Sequence, residues 1–293
     1  MPRDCAILLT HTWSPGLAKH VERLKREAAG VIDVLLGFHA EPERPVPAGV
    51  SPDFTVSMSD ADRHFPLRSA IFRENFGRGK WSTYIDVLWF AAFLHERLAD
   101  YDRFWFIEYD VDLKGHWGRF FQAAAAYEGD LLATRLHRLS TDPNWSHLPG
   151  LRFPSHIADP IAGLFCISRL GRPLVEAYVE AMRNPEWGGH FEALIPTLAQ
   201  SLGLSVAEIS GEGEFTPPER VNRHYSGASH EMSSFRTTYS FRPPHAYRYF
   251  AERPFRLGNR DTLYHPVKTD VPWRKRLRYL EQDIRFAIRP RTG

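Results

Sequence analysis

The chain has 293 residues, 43% of them hydrophobic and 25% charged, with a formal net charge of +2. These are the values of a globular chain with a substantial core; they exclude a disordered or fibrous protein and give no chain-wide electrostatic reason to expect nucleic acid as a partner. Cys5 and Cys166, the only cysteines, each lie in an apolar stretch, which suits buried reduced thiols and a cytoplasmic setting. No run approaches the roughly 18 apolar residues of a membrane span, and the short apolar start does not read as a signal peptide.

Residues 5–10 read as a buried strand ending in the turn at 11–16. Ser14 as cap, Pro15 at the first helical position, and Leu17, Val21, Leu24 and Ala28 at helical spacing predict a helix as far as Gly30. Residues 31–38 read as the next strand. Strand, helix, strand is the grammar of a parallel sheet covered by helices, so the chain begins as α/β. A proline-rich connection at 41–47 leads to a short strand at 54–57. From Ser82, the spacing of Ile85, Leu88, Trp89, Ala92, Phe93 and Leu98 predicts an amphipathic helix. It delivers the chain into an aromatic strand at 104–107 that runs into Glu108-Tyr109-Asp110-Val111-Asp112.

Further on, the pattern predicts a helix through 120–127, a strand at 130–134 and an irregular stretch at 137–159 too long for a passive connector. A strand at 161–168, a helix at 173–182, a turn at 184–189, a helix at 190–202 and a strand at 205–209 follow. Residues 211–262 are loop-rich. Finally Trp273, Leu277, Leu280, Ile284 and Ile288 share one face of a basic helix. Residues 268–293 hold eight Lys/Arg against three Asp/Glu, so this helix either docks on the domain or makes peripheral contact with an anionic membrane on its inner face.

The informative feature is the acidic run that closes the aromatic strand. Open α/β sheets keep their ligands at the carboxyl ends of their strands. There Asp110 and Asp112 address one divalent cation, Mg²⁺ or Mn²⁺ by the hardness of their oxygens, and leave coordination sites for diphosphate oxygens. A solvated strand terminus is the alternative reading.

A hydrophobic strand followed by Asp-x-Asp resembles the metal and nucleotide-sugar site of GT-A glycosyltransferases. Three further features agree in order: the Gly188-Gly189 turn, the acidic Glu192 at a helix start, and Tyr264-His265-Pro266-Val267-Lys268 near the end of the chain. Ala193 stands where the acidic helix motif usually carries Asp. The resemblance implies a Rossmann-like GT-A sandwich over 1–268, with a central, mostly parallel sheet flanked by helices and the basic helix at 269–293 appended. It implies transfer of a sugar from a nucleotide-sugar donor to the hydroxyl of a carbohydrate or lipid-linked acceptor.

On that reading Asp110, Asp112 and His265 hold the metal, Lys268 faces the diphosphate, and Glu192 is the candidate base if the reaction inverts the anomeric centre, a role a retaining enzyme would not need. Gly188 and Gly189 lie beside the donor sugar. Bland readings stand next to each: a first-turn carboxylate stabilised by the helix dipole for Glu192, a structural histidine before proline for His265, a surface lysine for Lys268. Thr10 and His11 end the first strand where a nucleotide would lie, and Asp86 sits on the preceding helix; a turn role and a solvated helix face are their alternatives. Trp145, His147 and His156 in the long loop are candidates to stack on an acceptor sugar, against simple loop packing. Two rival functions remain: a metal-dependent phosphohydrolase, which would want ligands for two metals, and a non-catalytic carbohydrate- or nucleotide-binding protein of the same fold.

Overall fold

A computed structural model describes residues 2–67, 69, 70, 97–142, 150–225, 261–265, 267, 272–275, 277, 278 and 281. Most of the helix expected from Ser82, with Asp86, lies outside the described residues, as do Trp145, His147 and Lys268.

Strand β1 (Asp4–Thr10) is buried from Cys5 onward, because an unbroken apolar run can be covered on both faces. Helix α1 (Pro15–Ala28) follows. The Ser14 side chain accepts a hydrogen bond from the Leu17 amide, Pro15 occupies the first turn, and Leu17, Val21, Leu24 and Ala28 are buried on one face. Strands β2 (Asp33–His39) and β3 (Phe54–Val56) come next, then α2 (Met58–His64), started by a reciprocal capping box between Ser57 and Asp60. Strand β4 (Arg103–Glu108) leads into the three-residue β5 (Asp112–Lys114) and α3 (Trp117–Ala125). Strands β6 (Leu131–Arg138) and β7 (Ile161–Gly171), helices α4 (Arg172–Arg183) and α5 (Phe191–Ser201), and strands β8 (Val206–Glu208) and β9 (Thr262–Tyr264) complete the order.

The main sheet has the strand order β3-β2-β1-β4-β7-β6-β8, and β7 alone runs against the rest. This is the mostly parallel, Rossmann-like α/β sandwich expected from the sequence. One buried cluster joins Ile7, Leu9, Phe104 and Phe106 to α4 and α5; the other joins Ala6, Leu8, Trp105 and Ile107 to α1 and α3. The alternation along β1 and β4 therefore sorts side chains to opposite helical layers. Because β2 and β3 extend the sheet to one side of β1 and β4 to the other, the order reverses between β1 and β4. The carboxyl ends of strands at such a reversal are where sheets of this kind bind ligands.

Two strands are longer than their sequence pattern suggests. β6 continues to Arg138 through a register shift between Thr134 and His137, where Arg135 has φ 49° and breaks the alternation that marks a strand. β7 continues to Gly171 through Arg169, a charged residue that reads as a strand end but is buried. The Arg169 guanidinium donates to the carbonyls of Ala124, Tyr127 and Gly129 and so caps the end of α3. The β5–β9 pair, three residues from each side, was not foreseen. Residues 273–275, 277, 278 and 281 are helical, as expected, with Trp273 and Leu277 exposed. Among the described residues no helix is long and apolar enough to cross a membrane.

Candidate active site

β4 ends at Glu108, and the chain turns at once: the Val111 amide donates to the Glu108 carbonyl at 3.0 Å. The turn carries Asp110 back beside Glu108. β5 then pairs with β9, Asp112 opposite Tyr264, and the Val267 amide donates to the Asp110 carbonyl at 2.7 Å. This two-stranded ribbon delivers His265 between the two acids. Its Nε2 lies 3.1 Å from Glu108 Oε2 and 3.3 Å from Asp110 Oδ1. Cys166 of β7 closes the group from the neighbouring strand, with ligand atoms of Glu108, Cys166 and His265 all within 4.8 Å of one another. Asp110, His265 and Cys166 are buried, and Glu108 is half-buried.

Burial alone would strip the proton from the His265 imidazole. The neighbouring Cys166 and Asp110, through charge and hydrogen bonding, outweigh it and hold its proton affinity well above the ordinary histidine range. Burial, with the charge of Glu108, pushes the Cys166 thiol upward. A cation seated here would displace the imidazole proton and take its place between the carboxylates. Two carboxylates and an imidazole form a donor set that Mn²⁺ or Mg²⁺ accepts, which is the chemistry a cation at this corner requires.

Asp110 and His265 are thus brought together, and Asp112 is set apart from them. Its Oδ1 takes hydrogen bonds from Arg23 Nη1 of α1 at 3.0 Å and from the Leu113 amide at 2.8 Å, with His20 Nδ1 at 3.7 Å. Arg23 also donates to the carbonyls of Leu113 and Gly115. The Asp112 carboxylate is engaged in fastening β5 to α1. Beside His265 and Asp110 stands Glu108, which sequence reasoning passed over although Glu108-x-Asp110 has the same one-residue spacing as Asp110-x-Asp112 and directly follows the buried Ile107.

Thr10 ends β1 at the same edge, buried, its hydroxyl exchanging hydrogen bonds with the backbone of Thr12. The His11 ring meets Tyr109 edge-on at 5.2 Å. Gly188 pairs with Arg152 by two backbone hydrogen bonds of 2.9 Å. Gly189 has φ +108°, and a Cβ there would fall 2.6 Å from the Leu151 Cα, so the turn needs glycine for shape and for close approach. His190 caps α5, and Glu192 is buried in its first turn. Glu192 Oε1 accepts from the Phe165 amide at 3.1 Å, in the stretch of β7 where the pairing with β6 shifts register; Oε2 lies 3.5 Å from His190 Nδ1. His156 is exposed in the long loop.

No family model and no curated protein matches the chain. Among solved structures it is similar to mouse xyloside xylosyltransferase 1 in its apo form, at 12% identity and TM-score 0.42 over 92% of this chain and 100% of that one. It is also similar to the mannosyltransferase Ktr4p of S. cerevisiae, at 11% identity and TM-score 0.39 over 71% and 68%. A third is a glycosyltransferase involved in the glycosylation of the major capsid of PBCV-1, at 10% identity and TM-score 0.29 over 62% and 68%.

Proposed function

We propose that the chain is a glycosyltransferase that moves a sugar from a nucleotide-sugar donor to a hydroxyl of a carbohydrate or lipid-linked acceptor. The observation that carries this reading is the convergence of Glu108, Asp110 and His265 at the carboxyl end of β4, where the strand order reverses between β1 and β4. The motif resemblance seen in the sequence points to the same chemistry.

Glu108, Asp110 and His265 would hold Mn²⁺ or Mg²⁺, whose charge when bound offsets the negative charge that builds on a departing diphosphate. Thr10 and His11, with Tyr109 against the His11 ring, stand at the end of β1 where the nucleoside would lie, and Lys268, next in the chain after Val267, is the candidate cation for its phosphates. The Gly188-Gly189 turn is assigned to the donor sugar. Glu192, oriented by the Phe165 amide, is the candidate to accept the acceptor proton if the reaction inverts the anomeric centre.

The test is release of nucleoside diphosphate from a panel of nucleotide-sugars with Mn²⁺, Mg²⁺ or chelator present. The reading expects a metal-dependent preference for one donor, lowered by about 100-fold or more in Glu108→Gln and Asp110→Asn. Turnover that persists in the double variant, or release of inorganic phosphate in place of the nucleoside diphosphate, would overturn it.

A further inference from the structure

A cavity of about 330 Å³ opens between the carboxyl ends of β6 and β8, lined among others by Arg135, His137, Asp142, Glu208, Glu212 and Tyr225. We propose that it binds the non-reacting part of a carbohydrate acceptor, with Arg135 fixing that part's orientation. This inference rests on the transferase reading and deepens it.

The cavity lies on the same sheet edge as the acidic cluster. Ala133 of β6 faces Glu208 of β8, and Cys166, beside Glu108, falls between the β7 residues that face Leu132 and Thr134. Glu208 is therefore about three strand spacings, roughly 14 Å, from Glu108 along one row. That separation is too long for the reacting hydroxyl itself and suits a unit further along the same acceptor.

The cavity is built rigidly around an unusual backbone. Arg135 holds φ 49°, a left-handed conformation that a long side chain rarely adopts, inside the register shift of β6. Its amide donates to the Tyr225 hydroxyl at 2.9 Å, which donates in turn to Glu208 Oε1 at 2.6 Å; Thr216 donates to Oε2 at 2.5 Å. Glu208 and Tyr225 are both buried, and Gly211, at φ +115°, passes so close that a Cβ would come within 2.8 Å of the Glu208 carboxylate. These contacts satisfy the floor of the cavity, and Arg135 itself is part of its lining. The guanidinium, half-buried, makes no hydrogen bond or ion pair of its own among the described residues.

The surrounding charges select the ligand class. Arg135 supplies only donors, Asp142 and Glu212 supply acceptors, and burial keeps the His137 ring neutral. A phosphate or carboxylate ligand would meet Asp142, Glu208 and Glu212; a cation would meet Arg135. A neutral polyol, whose hydroxyls each donate and accept, satisfies both sets.

Saturation-transfer NMR with methyl glycosides of common hexoses and pentoses and with free disaccharides, without donor or metal, tests the site on the full chain. The expected result is saturation of at least one probe by the parent protein and about tenfold weaker binding in Arg135→Met and in Asp142→Ala, each with a melting temperature close to the parent's. With the acceptor in hand, Arg135→Met should raise the acceptor KM by about tenfold and change the donor KM less. Equal binding by the parent and both folded variants, or no binding of any probe by the parent, would overturn the proposal. If instead sugars bind and both variants lose them while no donor is ever cleaved, the pocket stands and the transferase reading falls.

Discussion

At the scale of single residues, one of the two aspartates expected to hold a cation is firmly engaged with α1. Asp112 is 1% exposed and bound to Arg23, so Asp112→Ala leaves a guanidinium facing a void and lets go of β5. A destabilisation of about 3 kcal/mol in urea unfolding is expected. A variant as stable as its parent but without activity would instead return Asp112 to the coordination of the cation. Glu192 poses a similar question and permits a sharper experiment. Glu192→Gln can still accept from the Phe165 amide but cannot take a proton, so a base loses about 100-fold or more in kcat while the fold persists. An unchanged kcat would leave Glu192 as a strut of β7. That acids gather after Ile107 was legible in the sequence. Which of Glu108, Asp110 and Asp112 share a corner was not, because a turn closed by one backbone hydrogen bond decides it, and side-chain period carries no record of that turn.

At the scale of elements, β1, α1, β4, α4 and α5 were readable from local signals: an unbroken apolar run in β1 and β4, a start marked by Pro15 or Pro173 with a buried face in α1 and α4, and a glycine turn before a largely apolar helix in α5. The β5–β9 ribbon was not, since three-residue strands about 150 residues apart leave no local trace. The end of β6 was hidden by its own irregularity. Glycine pairs are ambiguous in sequence, and here the structure separates the two. Gly189 needs its positive φ and its closeness to Leu151, so Gly189→Ala should destabilise by more than about 1 kcal/mol and shift the start of α5. A thermal melt unchanged by that substitution would mean that the turn can relax away from Leu151.

At the scale of the whole molecule, buried histidines set the response to acid. His39, His137 and His224 all have proton affinity lowered, first by burial. Each contributes stability that is complete above the unfolded value of about 6.5 and is lost as pH falls through its folded pKa. His265 is raised and acts in the opposite sense, so the contribution of one site is best read by difference. His224 bonds the Tyr127 hydroxyl and faces the Asp261 carbonyl. His224→Gln should therefore melt lower than the parent at neutral pH and lose less on going to about pH 5.5. Parallel pH curves for the two proteins would show that this ring does not titrate on unfolding.

The ribbon that carries His265 has one more consequence, and it concerns timing. The imidazole must find carboxylates that precede it by more than 150 positions, after nearly all of the main sheet has been laid down. A chain emerging from the ribosome would lay down the main sheet around Glu108 and Asp110 first, and the cluster those carboxylates share with His265 would close only after the chain as far as Val267 had been made.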